Sequence, residues 1–86
     1  MSERDEFLTR YAKASGAFQH AVNVYMANKT DKHFEEVKTL MNRLVYVEFS
    51  NVERFCNQHI HDKDIDSLLD IAKTDCEAMK KIFTRL

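Results

Sequence analysis

From Phe7 onward, the apolar positions of the chain fall into step. Phe7, Tyr11, Ala14, Phe18, Ala21 and Tyr25 are separated by four and three residues in turn. That spacing keeps one stripe of an α-helix facing a neighbour, with large and small side chains alternating along it. Ser2 stands ahead of the stripe with Asp5 three residues on, an imperfect capping box that predicts where the helix starts. Residues 27–30 end it, and Thr30 or Asp31 is placed to cap the next.

The second predicted helix runs from about Asp31 to about Gln58, a length of roughly 40 Å at 1.5 Å per residue. Phe34, Val37, Leu40, Met41, Leu44, Val45, Val47, Phe49, Val52, Phe55 and Cys56 spread over about half of its circumference. A helix that broad in apolar surface is touched on two sides, which makes it the central element. The stretch from Leu44 to Phe49 is rich in β-branched and aromatic residues and also reads as a strand. Nothing breaks the helical pattern on either side, however, and a lone strand finds no partner here.

His59 to Lys63 forms the second connection, and Asp62 or Asp64 caps the third helix. Its stripe is Ile65, Leu68, Leu69, Ala72, Cys76, Met79, Phe83 and Leu86. Asp62, Asp64, Asp66 and Asp70 lead it while Lys80, Lys81 and Arg85 trail, as the helix dipole favours. Short connections make antiparallel neighbours. The expected architecture is therefore all-α, one antiparallel three-helix bundle of long helices over residues 1–86. The absence of proline and the single glycine in 86 residues speak against a turn-rich β fold.

A chain of this length buries only about 60–65% of its extended surface, so its stability is marginal unless helices pack well or subunits associate. Val22, Val24, Met26, Leu40 and Val47 lie at or beyond the margins of the seams. Self-association into a homodimer is the economical way to cover them.

Charge narrows the function. The acidic and basic counts are 3 and 3 over residues 1–28, 5 and 5 over 29–60, and 6 and 5 over 61–86. No block carries the electrostatic footprint of a nucleic-acid binder. The polar start, Ser2 to Glu6, lacks the basic and apolar segments of a signal peptide. No apolar run reaches the roughly 18 residues of a membrane span. The expectation is one complete cytoplasmic domain with no nucleic-acid or membrane partner, its two cysteines reduced.

Matching levels across the two turns places Tyr25 beside Phe34, Phe18 beside Met41, Phe7 beside Val52 and Tyr11 beside Glu48. Across the second turn Glu48 comes level with Asp75. Glu48 lies on the centre of its helix's apolar face, and Asp75 falls inside an apolar arc. A bare carboxylate there costs several kcal/mol, so it is paired, hydrogen-bonded, protonated or facing a partner. Two close carboxylates can share a proton or chelate a cation. The plainer reading has Glu48 accepting a hydrogen bond from Tyr11 while Asp75 tilts to solvent. A third has both groups lining a groove that awaits a partner's Arg or Lys.

Cys56, His59 and His61 offer zinc-type donors but match neither usual paired element. The plainer reading packs Cys56 in the core and uses the histidines at the helix end. Asp62 to Asp66 resembles the opening of a calcium loop, but its required glycine and closing glutamate are replaced by Ser67 and Lys73. The cysteines sit on the order of 13 Å apart along the bundle, too far for a disulfide. On the outer face of the first helix, Gly16 lies near Ala12, His20 and Asn23, and reads either as a small residue that lets another backbone approach or as a tolerated surface glycine. A mid-helix glycine costs about 1 kcal/mol relative to alanine. Tyr46 is a stray aromatic on the polar side of the second helix, suited to anchoring an interface.

No nucleophile, phosphate loop or base–orienter pair can be assembled. The expectation is a non-catalytic module, a regulator, adaptor or inhibitor that binds another protein without a cofactor. Its contacts would be Ala12, Gly16, His20, Tyr46, Glu48 and Asp75. The rival expectation is a metal-binding bundle using Glu48 and Asp75, or Cys56, His59 and His61.

Overall fold

The computed structural model describes residues 2–59 and 62–86. Helix α1 spans Glu3–Ala27. The second helix is one continuous rod in three parts: α2 (Asp31–Arg43), a π-helical segment (Leu44–Phe49) and α3 (Ser50–Asn57). Helix α4 spans Lys63–Thr84. Three helices pack together into a bundle of 46 × 24 × 16 Å, and no strand occurs among the described residues. None of the helices is long and apolar enough to cross a membrane among those residues.

The helix starts follow from local hydrogen bonding. Ser2 Oγ accepts from the Asp5 amide at 3.2 Å, and Thr30 Oγ1 accepts from the His33 amide at 3.2 Å. Each satisfies an amide that the first turn would leave without a partner. His33 Nδ1 donates to the Asn28 carbonyl at 2.8 Å, which draws in the loop between α1 and α2. At the second turn the Asp62 carbonyl accepts from the amides of Ile65 and Asp66 at 3.1 and 3.0 Å and so opens α4.

The core matches the expected stripes closely on the rod and α4. Val37, Met41, Leu44, Val52, Phe55 and Cys56 are buried, as are Ile65, Leu68, Ala72, Cys76 and Met79. Tyr25 meets Phe34 with ring centroids 5.4 Å apart, and Phe34 stacks on Phe83 at 6.2 Å. Phe7 packs on Phe55 at 4.8 Å, a turn beyond the Val52 level expected for straight α geometry. Wider turns rise less per residue, so later residues reach the same height. On α1 the structure adds a second stripe, Tyr11, Ser15, Phe18 and Val22, all buried. Val22 thus belongs to the core and not to an uncovered margin, whereas Met26 and Val47 are exposed.

The π segment has a physical cause. Val45, Tyr46, Val47 and Phe49 put four β-branched or aromatic side chains within five residues, and an α-helix restricts the χ1 freedom of each. The wider i→i+5 turn relieves that crowding and rotates α3 relative to α2. Helix α2 accordingly packs chiefly on α1, α3 chiefly on α4, and the π segment touches both. Ser50 Oγ donates to the Val45 carbonyl at 3.4 Å, serving a backbone acceptor within the altered ladder.

Both cysteines are free and buried. Cys56 Sγ donates to the Ile65 carbonyl at 3.4 Å, and burial pushes both thiols above their ordinary range. Ellman's reagent is therefore expected to modify Cys56 and Cys76 far more slowly than free cysteine in native buffer, and both rapidly in denaturant. Fast modification in native buffer would show that the α3–α4 packing opens readily.

Candidate functional site

The two carboxylates marked by the sequence occupy different places. Asp75, half-buried on α4, accepts hydrogen bonds from Tyr11 Oη and from Ser15 Oγ, both at 2.8 Å. The single Tyr11 hydroxyl proton also lies within reach of the Ala72 carbonyl, whose oxygen is 3.2 Å from Oη, a bifurcated arrangement. Gln19 Nε2 donates to Ser15 Oγ at 3.2 Å and extends the chain of bonds outward. Tyr11, Ser15 and Gln19 follow one another at four-residue steps, one above the next on α1, so the network ties α1 to α4.

Burial raises the Tyr11 phenol well above its ordinary value, and the adjacent Asp75 carboxylate raises it further. The phenol keeps its proton throughout the neutral range and remains a donor. In this arrangement Tyr11 clamps two helices.

Glu48 is buried at 6% exposure, within the π segment. Its partner is Arg10, whose Nε lies 3.9 Å from Oε2, longer than a hydrogen bond. The expectation that Tyr11 donates to Glu48 while Asp75 tilts to solvent is therefore corrected: Tyr11 serves Asp75, and Arg10 serves Glu48. The reason is rotational. Neighbouring helical residues point about 100° apart, so Arg10 faces the rod while Tyr11 faces α4.

Glu48 lines a cleft of about 270 Å³ between α1 and the second helix, with Arg10, Lys13, Ala14, Ala17, Leu40 and Arg43. Asp75 opens instead onto a shallow depression along α4 beside Asp70, Ile71, Thr74 and Ala78. Among the described residues no three His, Cys, Asp or Glu side chains converge to hold a metal ion. Cys56 is engaged with Ile65, and His59 Nδ1 donates to the Phe55 carbonyl at 2.9 Å, its ring 4.5 Å from that of Phe55. Both residues thus take the core and helix-end places of the plainer reading. His61 lies outside the described residues.

The remaining marked residues lie on the surface. Ala12, Gly16 and His20 are all exposed on α1. A Cβ added at Gly16 would meet nothing within 4 Å. Tyr46 is 73% exposed and its neighbour Val47 46%. Sequence reasoning missed Ser15, although Tyr11, Ser15, Phe18 and Val22 repeat at four, three and four, a seam in their own right. It also missed Arg10, Lys13 and Arg43 as a group, because they come from two helices. No family model, curated protein or solved structure matches the chain.

Tyr11→Phe is expected to lower stability by about 1–3 kcal/mol, since Asp75 loses a buried donor. The pH dependence has a definite sign. The unfolded chain releases the phenol proton at about pH 10, whereas the folded chain holds it to higher pH. The stabilisation is thus whole below that value and lost as pH rises past it. Urea midpoints measured across the alkaline range should fall more steeply for the parent than for Tyr11→Phe. Parallel curves would show that Tyr11 is not the group being held.

Proposed function

We propose that the protein is a non-catalytic helical interaction module that acts by binding another protein chain, a second copy of itself included. The observation that supports this reading most directly is Gly16. It lies in the middle of α1, has no positive φ, and has open space where its Cβ would be. Glycine there costs about 1 kcal/mol relative to alanine, and among the described residues no neighbour lies close enough to its Cβ position to require it. A close approach by another backbone supplies the missing reason. Ala12 and His20, on the same exposed face, extend the surface along the helix.

Tyr46 and Val47 add an anchor of a kind that interfaces favour, an exposed aromatic beside an exposed aliphatic residue. Asp75 is less suited to a partner's cation, since it already accepts two hydrogen bonds within the chain. The metal-binding alternative gains no support from the placement of Glu48, Asp75, Cys56 or His59.

Gly16→Ala and Gly16→Leu separate the structural role from the interface role. Each should leave the isolated chain folded, and Gly16→Ala should stabilise it by about 0.5–1 kcal/mol. Native mass spectrometry and sedimentation are expected to show association in the parent that Gly16→Leu weakens and Gly16→Ala weakens less. Undiminished association in Gly16→Leu would remove this face from the interface.

A further inference from the structure

The geometry points to a second site, independent of the Gly16 face: the cleft between α1 and the second helix binds a phosphate monoester. Three cations line it, Arg10 and Lys13 from α1 and Arg43 from α2, against one carboxylate, Glu48. The excess is two positive charges in one concavity, in a chain whose charges otherwise balance along its length. A phosphate monoester carries about −1.5 to −2 at neutral pH, the complementary charge.

The individual groups suit that ligand. Among the described residues neither Lys13 nor Arg43 takes part in an ion pair. Arg10 meets Glu48 through Nε, which leaves the outer edge of its half-exposed guanidinium for a two-point contact with phosphate oxygens. Glu48 lines the same cleft and faces Arg10 at 3.9 Å, so it offsets one of the three positive charges and leaves the excess of two. Ala14 and Ala17 leave room, and half-buried Leu40 offers an apolar wall for the organic portion of the ester. The volume of about 270 Å³ lies just below the usual range for drug-sized ligands, which suits a small ester rather than a long one. The site borders a π-helical segment, a distortion found frequently at functional sites.

The test is an amide-shift NMR titration of the full chain at constant ionic strength, with glycerol phosphate and inorganic phosphate as separate probes. Saturable shifts are expected around residues 10–17 and 40–48, with the ester binding more tightly than the inorganic ion. The double variant Lys13→Gln, Arg43→Gln should weaken the ester by about tenfold or more. Both side chains are exposed, and the Arg10–Glu48 pair stays intact, so the fold is retained; circular dichroism checks it. Lys29→Gln with Arg85→Gln, at the opposite end of α1, should leave affinity unchanged. Non-saturating shifts shared by all basic residues would overturn the proposal, as would equal affinity in the double variant. So would a response confined to phosphatidylcholine vesicles carrying phosphatidic acid, which would assign the cations to a lipid surface.

Discussion

The second helix has to serve two neighbours, and its apolar face changes partner within Leu44–Phe49. A straight α-helix would carry one stripe past both α1 and α4 at a fixed angle. The π segment turns the rod between them, so that α2 faces α1 and α3 faces α4. The side chains that crowd an α-helix at this point are what make the wider turn favourable. The core on either side is continuous because of it, with Leu44 at its start and Val52 in the first turn of α3 fully buried. The same turn leaves Tyr46 and Val47 outside and sets Glu48 inside.

The carboxylates show how a small bundle accommodates charge. Burying a bare carboxylate costs more than a domain with some 5–15 kcal/mol of total stability can spare. Asp75 meets the requirement with two hydroxyl donors from α1, which also fixes the height of α1 against α4. Glu48 meets it more loosely, with a guanidinium at 3.9 Å and the edge of an open cleft. One arrangement is a closed structural bond. The other leaves charge and space available.

Much of this was legible in the chain itself. Ser2 and Thr30 announced their helices because a hydroxyl before an apolar stripe accepts a first-turn amide in any context. The turn near residue 29 put Tyr25 against Phe34 because antiparallel helices joined by a short loop have little freedom of level. The α4 stripe was readable residue by residue, since its apolar positions contain few interruptions. The π segment was visible only as an ambiguity between strand and helix. Its β-branched and aromatic content signalled strain in α geometry without specifying how the strain is relieved. Which donor reached which carboxylate was not legible, because Arg10 and Tyr11 are adjacent and only the rotation of α1 decides which faces the rod. The cationic cleft was hidden for another reason: Arg43 lies far from Arg10 and Lys13 in sequence, and evenly balanced charge counts conceal a local excess.

Most of the chain obeys one rule at every level: stripe, cap, dipole and packing all favour the same bundle. The departures are therefore informative. Gly16 weakens α1 where no described residue crowds its Cβ position, Tyr46 holds an aromatic ring in water, and Glu48 sits buried with a distant partner. Each would be removed by a conservative substitution if stability alone set the sequence, alanine at Gly16 being the plainest instance. They lie on separate parts of the surface, the outer face of α1, the outer face of the rod and the cleft between them. A single contact cannot account for all three. The cleft is concave and charged, while the Gly16 face is open and nearly neutral. The two proposed contacts, a small anion in the first and another polypeptide backbone on the second, would therefore draw on different faces of α1.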